Sequence, residues 1–315
     1  MTHAPEIIQA DAGMSRAVKV LRAGGLVGMP TETVYGLAAD ASNSEAVARI
    51  FEAKGRPSFN PLISHVASVE MACVEGVLDT RARVLAERFW PGPLTLVVPV
   101  ADSCRTCELA RAGLTTIGLR IPQHPAARAL LETFGGPLSA PSANPSGQLS
   151  PTTAGDVAGS FGEEVSVVID GGPSQAGIES TIVSLLPADE PRLLRPGAVG
   201  RDQLEAEIGP LAAAKTGVIS APGQLSSHYA PRARLRLEVT EPLSGEVLLG
   251  FGPGAPAGVE NLSTSGDTVE AAANLYRLLR KLDAEGADTI AVMPVPEFGL
   301  GEAINDRLRR AAAPR

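Results

Sequence analysis

The chain has 315 residues, of which 44% are hydrophobic and 20% are charged, so it can bury a core and is long enough for about two domains. Aromatic residues make up only 3%, and the core is therefore expected to be aliphatic. The formal net charge of -8 argues against a general nucleic-acid binder, which is usually basic, although it leaves room for a local basic cleft.

The first element predicted in chain order is a helix at residues 14–23, with Asp11 as its N-cap and two glycines at its end. A buried strand at residues 26–29 follows it. Helical periodicity and stop signals predict further helices at residues 44–53, 80–89 and 125–134. Apolar runs bounded by turn residues predict further strands at residues 61–66, 94–100, 115–121, 165–169, 181–186 and 192–195. This irregular order favours an α/β or α+β domain with a large, partly antiparallel sheet.

From about Gly209 the composition shifts to Ala, Gly and Pro, which is typical of a linker. The remaining strands are predicted at residues 235–239, 247–251 and 289–292, and the remaining helices at about residues 268–284 and 301–312. Their order is typical of a small parallel α/β domain. We therefore predict three parts, which are residues 1–208, a linker at residues 209–231 and residues 232–315.

The start of the chain lacks the charged beginning and apolar run of a signal peptide. No apolar stretch approaches the ~20 residues of a membrane-spanning helix. The three cysteines form no disulfide framework, which favours a reducing compartment. Cys104 and Cys107 form a C-x-x-C pair, but without a second pair or a nearby histidine they are interpreted as loop cysteines. We therefore expect a cytoplasmic protein with no membrane partner.

Two segments carry the first candidate chemistry. Residues 30–37 (P-T-E-T-V-Y-G-L) follow a buried strand, where α/β proteins place ligands. Lys54 and Arg56 flank Gly55 just past a helix, and both cations are expected at a solvent-facing helix end. Two fixed cations beside a flexible backbone suit a polyphosphate or a carboxylate. The two segments predict a nucleotide or acyl-phosphate site without a Walker sequence.

Three more loops carry hydroxyl and amide groups after apolar strands. They are residues 139–147, residues 179–181 and residues 194–197. Each alone is more often an ordinary turn, but together they offer donors that could converge on one ligand. No glycine-rich stretch fits a P-loop or a dinucleotide fingerprint, so a nucleotide would be bound by separate side chains.

The motifs occur in a recognisable order, which is T-E-T-V-Y-G-L, K-G-R-P-x-x-N-P-L-I-x-H-V, W-P-G-P-L-T, S-A-P-S-A-N-x-S-G, E-S-T-I-V and L-R-P-G-A. This series resembles the YrdC-type domain of the L-threonylcarbamoyladenylate synthases. Residues 228–231 (H-Y-A-P) and residues 299–308 resemble the two-domain form of the family, so the match covers nearly the whole chain. The resemblance implies a twisted mixed sheet with helices, a linker and a small Rossmann-like parallel α/β domain.

The family makes threonylcarbamoyl-AMP and pyrophosphate from L-threonine, bicarbonate (or CO2) and ATP. The product leads to N6-threonylcarbamoyladenosine at position 37 of tRNA. The resemblance implies this nucleotidyltransferase activity here, with the product passed to a tRNA threonylcarbamoyl-transferase complex. It implies Mg2+ with the ATP, no metal-ligating residue of the protein and no tightly bound organic cofactor. Strong direct nucleic-acid binding is not expected.

The same resemblance assigns residues to roles. Lys54 and Arg56 are implied as the catalytic pair, which would clamp the phosphates. The residues implied at L-threonine are Thr33, His65, Arg120, Ala140 and Ser180, with the arginine on the carboxylate. Besides the two cations, the residues implied at ATP are Asn60, Thr116, Ser142, Asn144, Ser150, Arg195 and Tyr229. The tyrosine would reach over from the linker to cover the nucleotide.

Two alternatives stay open at this point. A double-stranded RNA-binding module would use the concave, potentially positive face of this fold, but the net charge of -8 disfavours it. A carbamoyltransferase of the hydrogenase-maturation kind shares the domain. That class carries an acylphosphatase segment and paired C-x-x-C zinc motifs, and neither is found in this chain.

Overall fold

The structure is a computed structural model that describes residues 4–187, 189–215, 217, 220–223 and 228–314. A large mixed sheet dominates the first two thirds of the chain. Its strands are β1 (Glu6–Gln9), β2 (Leu26–Met29), β3 (Gly36–Asp40), β4 (Ile63–His65), β5 (Leu94–Pro99), β6 (Thr116–Arg120), β7 (Leu138–Ser139), β8 (Val165–Asp170), β9 (Thr181–Ser184), β10 (Arg192–Arg195) and β11 (Ala212–Ala213). They are ordered β1-β8-β2-β3-β7-β4-β6-β5-β9-β10-β11 across the sheet.

Parallel and antiparallel pairs mix in this sheet, which confirms the predicted partly antiparallel α/β class. For example, β4 runs parallel to β6 with His65 opposite Arg120, whereas β5 runs antiparallel to β6. The helices of this part are α1 (Ala10–Arg22), α2 (Ser44–Lys54), α3 (Val69–Glu75), α4 (Thr80–Phe89), α5 (Pro125–Phe134), α6 (Ala154–Ala158) and α7 (Arg201–Ile208). Because several strand ends meet along the middle of the sheet, the loops that follow them converge there.

Helix α2 positions the candidate cations, and its sequence explains where it begins and ends. The Asn43 side chain accepts hydrogen bonds from two backbone amides of the first turn, which is ordinary N-capping. Gly55 ends the helix in the left-handed conformation at φ 57°, a position that favours glycine. The apolar face of the helix, which includes Val47 and Ile50, packs in the core beneath the sheet. Lys54 is therefore the last helical residue.

The second sheet is small and entirely parallel. Its strands are β12 (Arg234–Arg236), β13 (Val247–Gly250), β14 (Glu260–Asn261) and β15 (Thr289–Val292), ordered β12-β15-β13-β14. Its helices are α8 (Thr268–Ala284) and α9 (Gly301–Ala312). One apolar cluster joins the two parts, because Leu149 and Ile178 of the first pack with Leu275 and Tyr276 of α8. The observed sheet confirms the predicted small parallel α/β unit.

The structure also departs from the sequence-based expectations. The segment expected as a linker contains β11, which pairs with β10 at the edge of the large sheet. The predicted strand at residues 235–239 is shorter and begins earlier, as β12. No helix among the described residues is long and apolar enough to cross a membrane.

Candidate functional site

A cavity lies where the loops after β2 and β7 meet the ends of β4, β6, β9 and β10. It offers about 40 Å³ of water-accessible space, which is room for a few water molecules. Pro222, Gly223, His228 and Tyr229, called here the cover segment, form one wall of it. The lining residues of the large-sheet part are Thr31, Thr33, Val34, Gly36, Arg56, Ile63, His65, Arg120, Ala140, Pro141, Ser142, Glu179, Ser180 and Arg195. All five residues expected at L-threonine are therefore in this lining.

The loop after β2 is shaped by its own threonine hydroxyls. Thr31 Oγ1 donates to the carbonyl oxygen of Val34 at 2.6 Å and lies 2.8 Å from Thr33 Oγ1. Since the Thr31 hydrogen is used on the carbonyl, Thr33 is the donor in the pair of hydroxyls. The loop is thus held closed on itself, and it presents Thr33 to the cavity in a fixed position.

Arg120 stands at the end of β6 and is fixed by a buried carboxylate. Its Nη2 donates to Glu32 Oε1 at 2.6 Å, and its Nε donates to the Gly92 carbonyl oxygen at 3.2 Å. Glu32 also accepts a hydrogen bond from the backbone amide of Gln123. Burial acts to raise the pKa of Glu32, but the charge and hydrogen bond of Arg120 outweigh it and leave the pKa below its usual value. The arginine is therefore held in one orientation beside the cavity.

His65 lies next to Arg120 across the β4–β6 pair and is buried. Its Nδ1 has no hydrogen-bond partner among the described residues. Burial, aided by the positive charge of Arg120, lowers the pKa of His65 to about 3. The imidazole is therefore neutral at pH 7 and offers a neutral hydrogen-bonding group to a ligand.

Lys54 is buried, so the expectation of a solvent-facing helix end is wrong. Its Nζ donates to the carbonyl oxygens of Ser142, at 2.6 Å, and of Asn144. The Ser146 amide in turn donates to the Lys54 carbonyl oxygen at 2.7 Å, so the loop after β7 lies directly over the helix end. Burial, and then the charge of Arg56, lower the pKa of Lys54 well below its usual value. In this arrangement Lys54 braces the loop and lies outside the cavity lining.

Arg56 is also buried, but it does reach the cavity. Its Nε donates to the Asn60 carbonyl oxygen at 3.2 Å and its Nη2 to the Pro61 carbonyl oxygen at 3.0 Å. Both bonds tie the guanidinium to the turn that follows α2. The segment that carries the motif thus folds around its own arginine, and this also contradicts the solvent-facing expectation.

The other residues expected at ATP lie in three places, which are the cavity lining, the layer behind it and, for Thr116, a neighbouring cavity. Ser142, Arg195 and Tyr229 line the cavity together with Arg56. The next group lies just behind the lining and comprises Asn60, Asn144 and Ser150. Asn60 Oδ1 and Asn144 Oδ1 are buried and have no hydrogen-bond partner among the described residues, so both could accept from a ligand or a water.

Thr116 is separate from this group. It is at the start of β6, four residues before Arg120, which corresponds to about 13 Å along a strand. It lines a smaller neighbouring cavity of about 10 Å³ together with Arg111 and Pro222. The two cavities share Ile63 and Pro222 as lining residues, so they adjoin beneath the cover segment.

Arg195 and the cover segment are packed against each other. Arg195 Nη2 donates to the carbonyl oxygen of Ser180 at 2.9 Å and to its hydroxyl at 3.1 Å, and Nη1 reaches the Pro222 carbonyl oxygen at 3.4 Å. Gly223 has φ 83°, and a Cβ added to it would lie 2.5 Å from the Tyr229 hydroxyl. Only glycine therefore allows this close approach.

Glu179 is a residue of the cavity lining to which the sequence analysis assigned no role. This buried carboxylate lines the cavity and accepts hydrogen bonds from Ser150 Oγ, from Tyr276 OH at 3.0 Å and from Arg307 Nε at 2.7 Å. Burial acts to raise its pKa, but the charges of Arg307 and Arg195 outweigh burial and lower the pKa to about 2. The sequence does place Glu179 in the E-S-T-I-V motif, which could have marked it as a candidate site residue. The motif gives no indication of its partners, which lie far away in the chain.

A metal ion would find few ligands in the protein itself. Within the part of the chain that is described, no three or more His, Cys, Asp or Glu side chains are grouped so as to hold one. The carboxylates nearest the cavity, Glu32 and Glu179, already accept hydrogen bonds from arginines.

Comparisons with known proteins agree along nearly the whole chain. Residues 19–197 match the Sua5/YciO/YrdC family model, described as Telomere recombination, and residues 198–313 match the model described as Threonylcarbamoyl-AMP synthase, C-terminal domain. The Bacillus subtilis threonylcarbamoyl-AMP synthase is 39% identical, over 98% of this chain and 96% of that protein. The Pyrococcus abyssi threonylcarbamoyl-AMP synthase is 40% identical, over 95% of this chain and 94% of that protein.

A solved structure supports the same relationship in three dimensions. The crystal structure of P. abyssi Sua5 complexed with L-threonine superposes with a TM-score of 0.88 at 38% sequence identity. The superposition covers 99% of this chain and 97% of that chain. Both sheets described above are therefore part of a known arrangement.

Proposed function

The chain belongs to the threonylcarbamoyl-AMP synthase family, and we propose that it makes threonylcarbamoyl-AMP and pyrophosphate from L-threonine, bicarbonate (or CO2) and ATP. The product would serve N6-threonylcarbamoyladenosine formation at position 37 of tRNA, through a separate threonylcarbamoyl-transferase complex. One observation carries the proposal, which is that three buried arginines, Arg56, Arg120 and Arg195, line one cleft.

The threonine end of the cleft is the region around Arg120. A guanidinium oriented by Glu32 can bind the α-carboxylate of an amino acid, and the P. abyssi relative has been solved with L-threonine. Thr33 and Ser180 are hydroxyl groups in the same lining, and they can contact the substrate side chain and amine. With a pKa of about 3, His65 would act as a neutral hydrogen-bond partner for the amine and not as a store of protons.

The phosphate end of the cleft is the region around Arg56 and Arg195. These cations suit the α-phosphate and the departing pyrophosphate, and Mg2+ entering with ATP would share the negative charge. Lys54 would join them by exchanging a carbonyl partner for a phosphate oxygen, since its ammonium already lies behind Ser142. The neutral groups of Asn60, Asn144, Ser142 and Ser150 would orient the nucleotide, and Thr116 would contact it through the adjoining cavity.

The chemistry itself needs positioning more than a reactive side chain. The carbamate of threonine must place one oxygen in line with the α-phosphate while pyrophosphate leaves. Holding both substrates in one cleft makes this step effectively intramolecular. Tyr229 and the rest of the cover segment would exclude water from the labile product. This role goes with the predicted three-part organisation, in which the linker at residues 209–231 carries the cover segment.

The direct test is to incubate the protein with ATP, Mg2+, L-threonine and bicarbonate and to measure pyrophosphate together with the adduct mass of threonylcarbamoyl-AMP. We expect pyrophosphate release to require both threonine and bicarbonate. Equal release without threonine would contradict the proposal. Salt-dependent binding to double-stranded RNA without ATP, in a protein that releases no pyrophosphate, would favour an RNA-binding module instead.

A further inference from the structure

The C-terminal helices place two side chains directly on a residue of the candidate site. Arg307 of α9 is fully buried and its Nε donates to Glu179 Oε2 at 2.7 Å. Tyr276 of α8 donates its hydroxyl to the same carboxylate, at 3.0 and 3.1 Å from the two oxygens. Ser150 completes the set of donors. Two of the three side chains that hold the Glu179 carboxylate in place therefore come from the C-terminal helices.

The same two residues also hold the cover segment from behind. The guanidinium carbon of Arg307 lies 4.9 Å from the centroid of the Tyr229 ring, within the range of a cation–π contact. The rings of Tyr276 and Tyr229 are 6.1 Å apart. The His228 amide donates to the Arg310 carbonyl oxygen of α9 at 3.3 Å. Helices α8 and α9 thus form a wall on which the cover segment rests.

A role in stability alone is a poor explanation for this arrangement. Burying an arginine and a glutamate requires removing both from water, and such pairs contribute little net stability compared with apolar packing. Arg307 Nη2 has no hydrogen-bond partner among the described residues, so the guanidinium is not even fully satisfied. The pair does hold the Glu179 carboxylate in one position in the cavity lining.

We propose that Arg307 and Tyr276 are positioning residues for the ATP end of the site, acting through Glu179 and Tyr229. The C-terminal α/β part is then a structural component of the active-site wall. The inference rests on the proposed function, because it takes Tyr229 as the cover of the nucleotide. Among the described residues, the side-chain partners of Arg307 and Tyr276 do not include Glu32, Arg120 or His65. Their loss should therefore weaken ATP binding more than threonine binding, even though Ser180 follows Glu179 in the chain.

The test uses the full-length variants Arg307→Gln and Tyr276→Phe, with Arg309→Gln as the matched control. Arg309 lies on the same helix, but its side chain is 61% exposed and pairs with the exposed Glu297. The dissociation constants for ATP and for L-threonine are measured by calorimetry, and KM for both substrates is measured in the pyrophosphate assay. We expect Arg307→Gln to weaken ATP binding by about tenfold, because Glu179 loses its charged donor and Tyr229 loses its cation–π contact. Tyr276→Phe should weaken it less, and Arg309→Gln should match the wild type.

The split between the two substrates distinguishes positioning from general destabilisation. Threonine affinity within about twofold of wild type in both variants supports the proposal, because a loosened fold would affect both substrates. Unchanged ATP affinity in a folded Arg307→Gln protein, or equal losses for both substrates, would overturn it. If Arg307→Gln does not fold, Tyr276→Phe decides by the same criteria, since it keeps the ring and removes only the hydroxyl. A wild-type protein that forms no adduct would instead contradict the proposed function.

Discussion

At the scale of single residues, the buried pair of Glu32 and Arg120 shows what the sequence could and could not predict. Arg120 was expected at the threonine carboxylate, and it does line the cavity. Its partner Glu32 lies 88 residues away in the chain, so their salt bridge could not be foreseen from local patterns. The burial of Lys54 has the same origin, because the carbonyl groups that cover it come 88 and 90 residues later.

We predict that Arg120→Lys weakens threonine binding almost as much as Arg120→Ala. A lysine ammonium is a point charge and cannot keep Glu32 and a substrate carboxylate in the two-pronged geometry of a guanidinium. The dissociation constant for L-threonine, measured by calorimetry, should rise by about tenfold or more in both variants. Arg128→Lys, in an exposed pair with Glu132, is the control. Wild-type affinity in Arg120→Ala would remove this residue from the threonine site.

We also predict that Lys54→Met lowers stability as well as activity. The change leaves the Ser142 and Asn144 carbonyl oxygens without their donor, and an unsatisfied buried polar group costs about 1–3 kcal/mol. The free energy of unfolding, from urea denaturation, should therefore fall by about that amount. Lys281→Met removes an exposed lysine and should change it little. An unchanged unfolding free energy for Lys54→Met would contradict the bracing role.

At the scale of elements, strongly patterned segments were predicted well and short ones were not. The amphipathic helices α2 and α5 carry clear caps and ends, and both were found close to their predicted bounds. Strands β7 and β11 have two residues each and become strands only through their neighbours in the sheet. Local sequence cannot specify such pairing, because its stabilisation comes from residues far along the chain.

The cover segment allows a prediction with a matched control at this scale. Gly223 and Gly217 have φ 83° and 77°, so an alanine at either position would carry a similar backbone strain. The Cβ at 223 would meet the Tyr229 hydroxyl at 2.5 Å, whereas the Cβ at 217 would meet no atom of the described residues within 4 Å. We expect Gly223→Ala to weaken ATP binding more than Gly217→Ala does, as measured by calorimetry. Equal effects would show that the contact with Tyr229 is unimportant for the nucleotide.

At the scale of the whole molecule, the parts of the chain that carry the two sheets are joined by two kinds of contact. One is a shared apolar cluster, and the other is a buried set of polar side chains around Glu179. Ser150, Tyr276 and Arg307 converge on Glu179 from segments up to 128 residues away. The structure confirms the predicted fold class and the small parallel unit. Both could be predicted because helices and strands leave a local periodic pattern in the sequence. The join between them depends on tertiary contacts of single polar residues, which carry no periodic signal in the sequence.

This cluster leads to a prediction about acid stability. The pKa of Glu179 is lowered from 4.5 to about 2, so its ionised form stabilises the folded state above pH 4.5. That contribution, taken relative to the protonated carboxyl in the same site, should be lost as the pH falls from about 4.5 towards 2. Glu179→Gln should therefore be less stable than wild type at pH 7, with the difference shrinking in this acid range. Urea denaturation at several pH values measures it, and a difference that does not vary with pH would contradict the assignment.

The wall that the cover segment forms has a consequence for the kinetics of substrate entry. Because this segment lines one side of the cavity, we expect it to move when ATP enters. When such an opening precedes binding, the observed association rate stops rising at high ligand concentration and approaches the opening rate. The same motion would then also affect how long the finished adenylate stays inside the cavity.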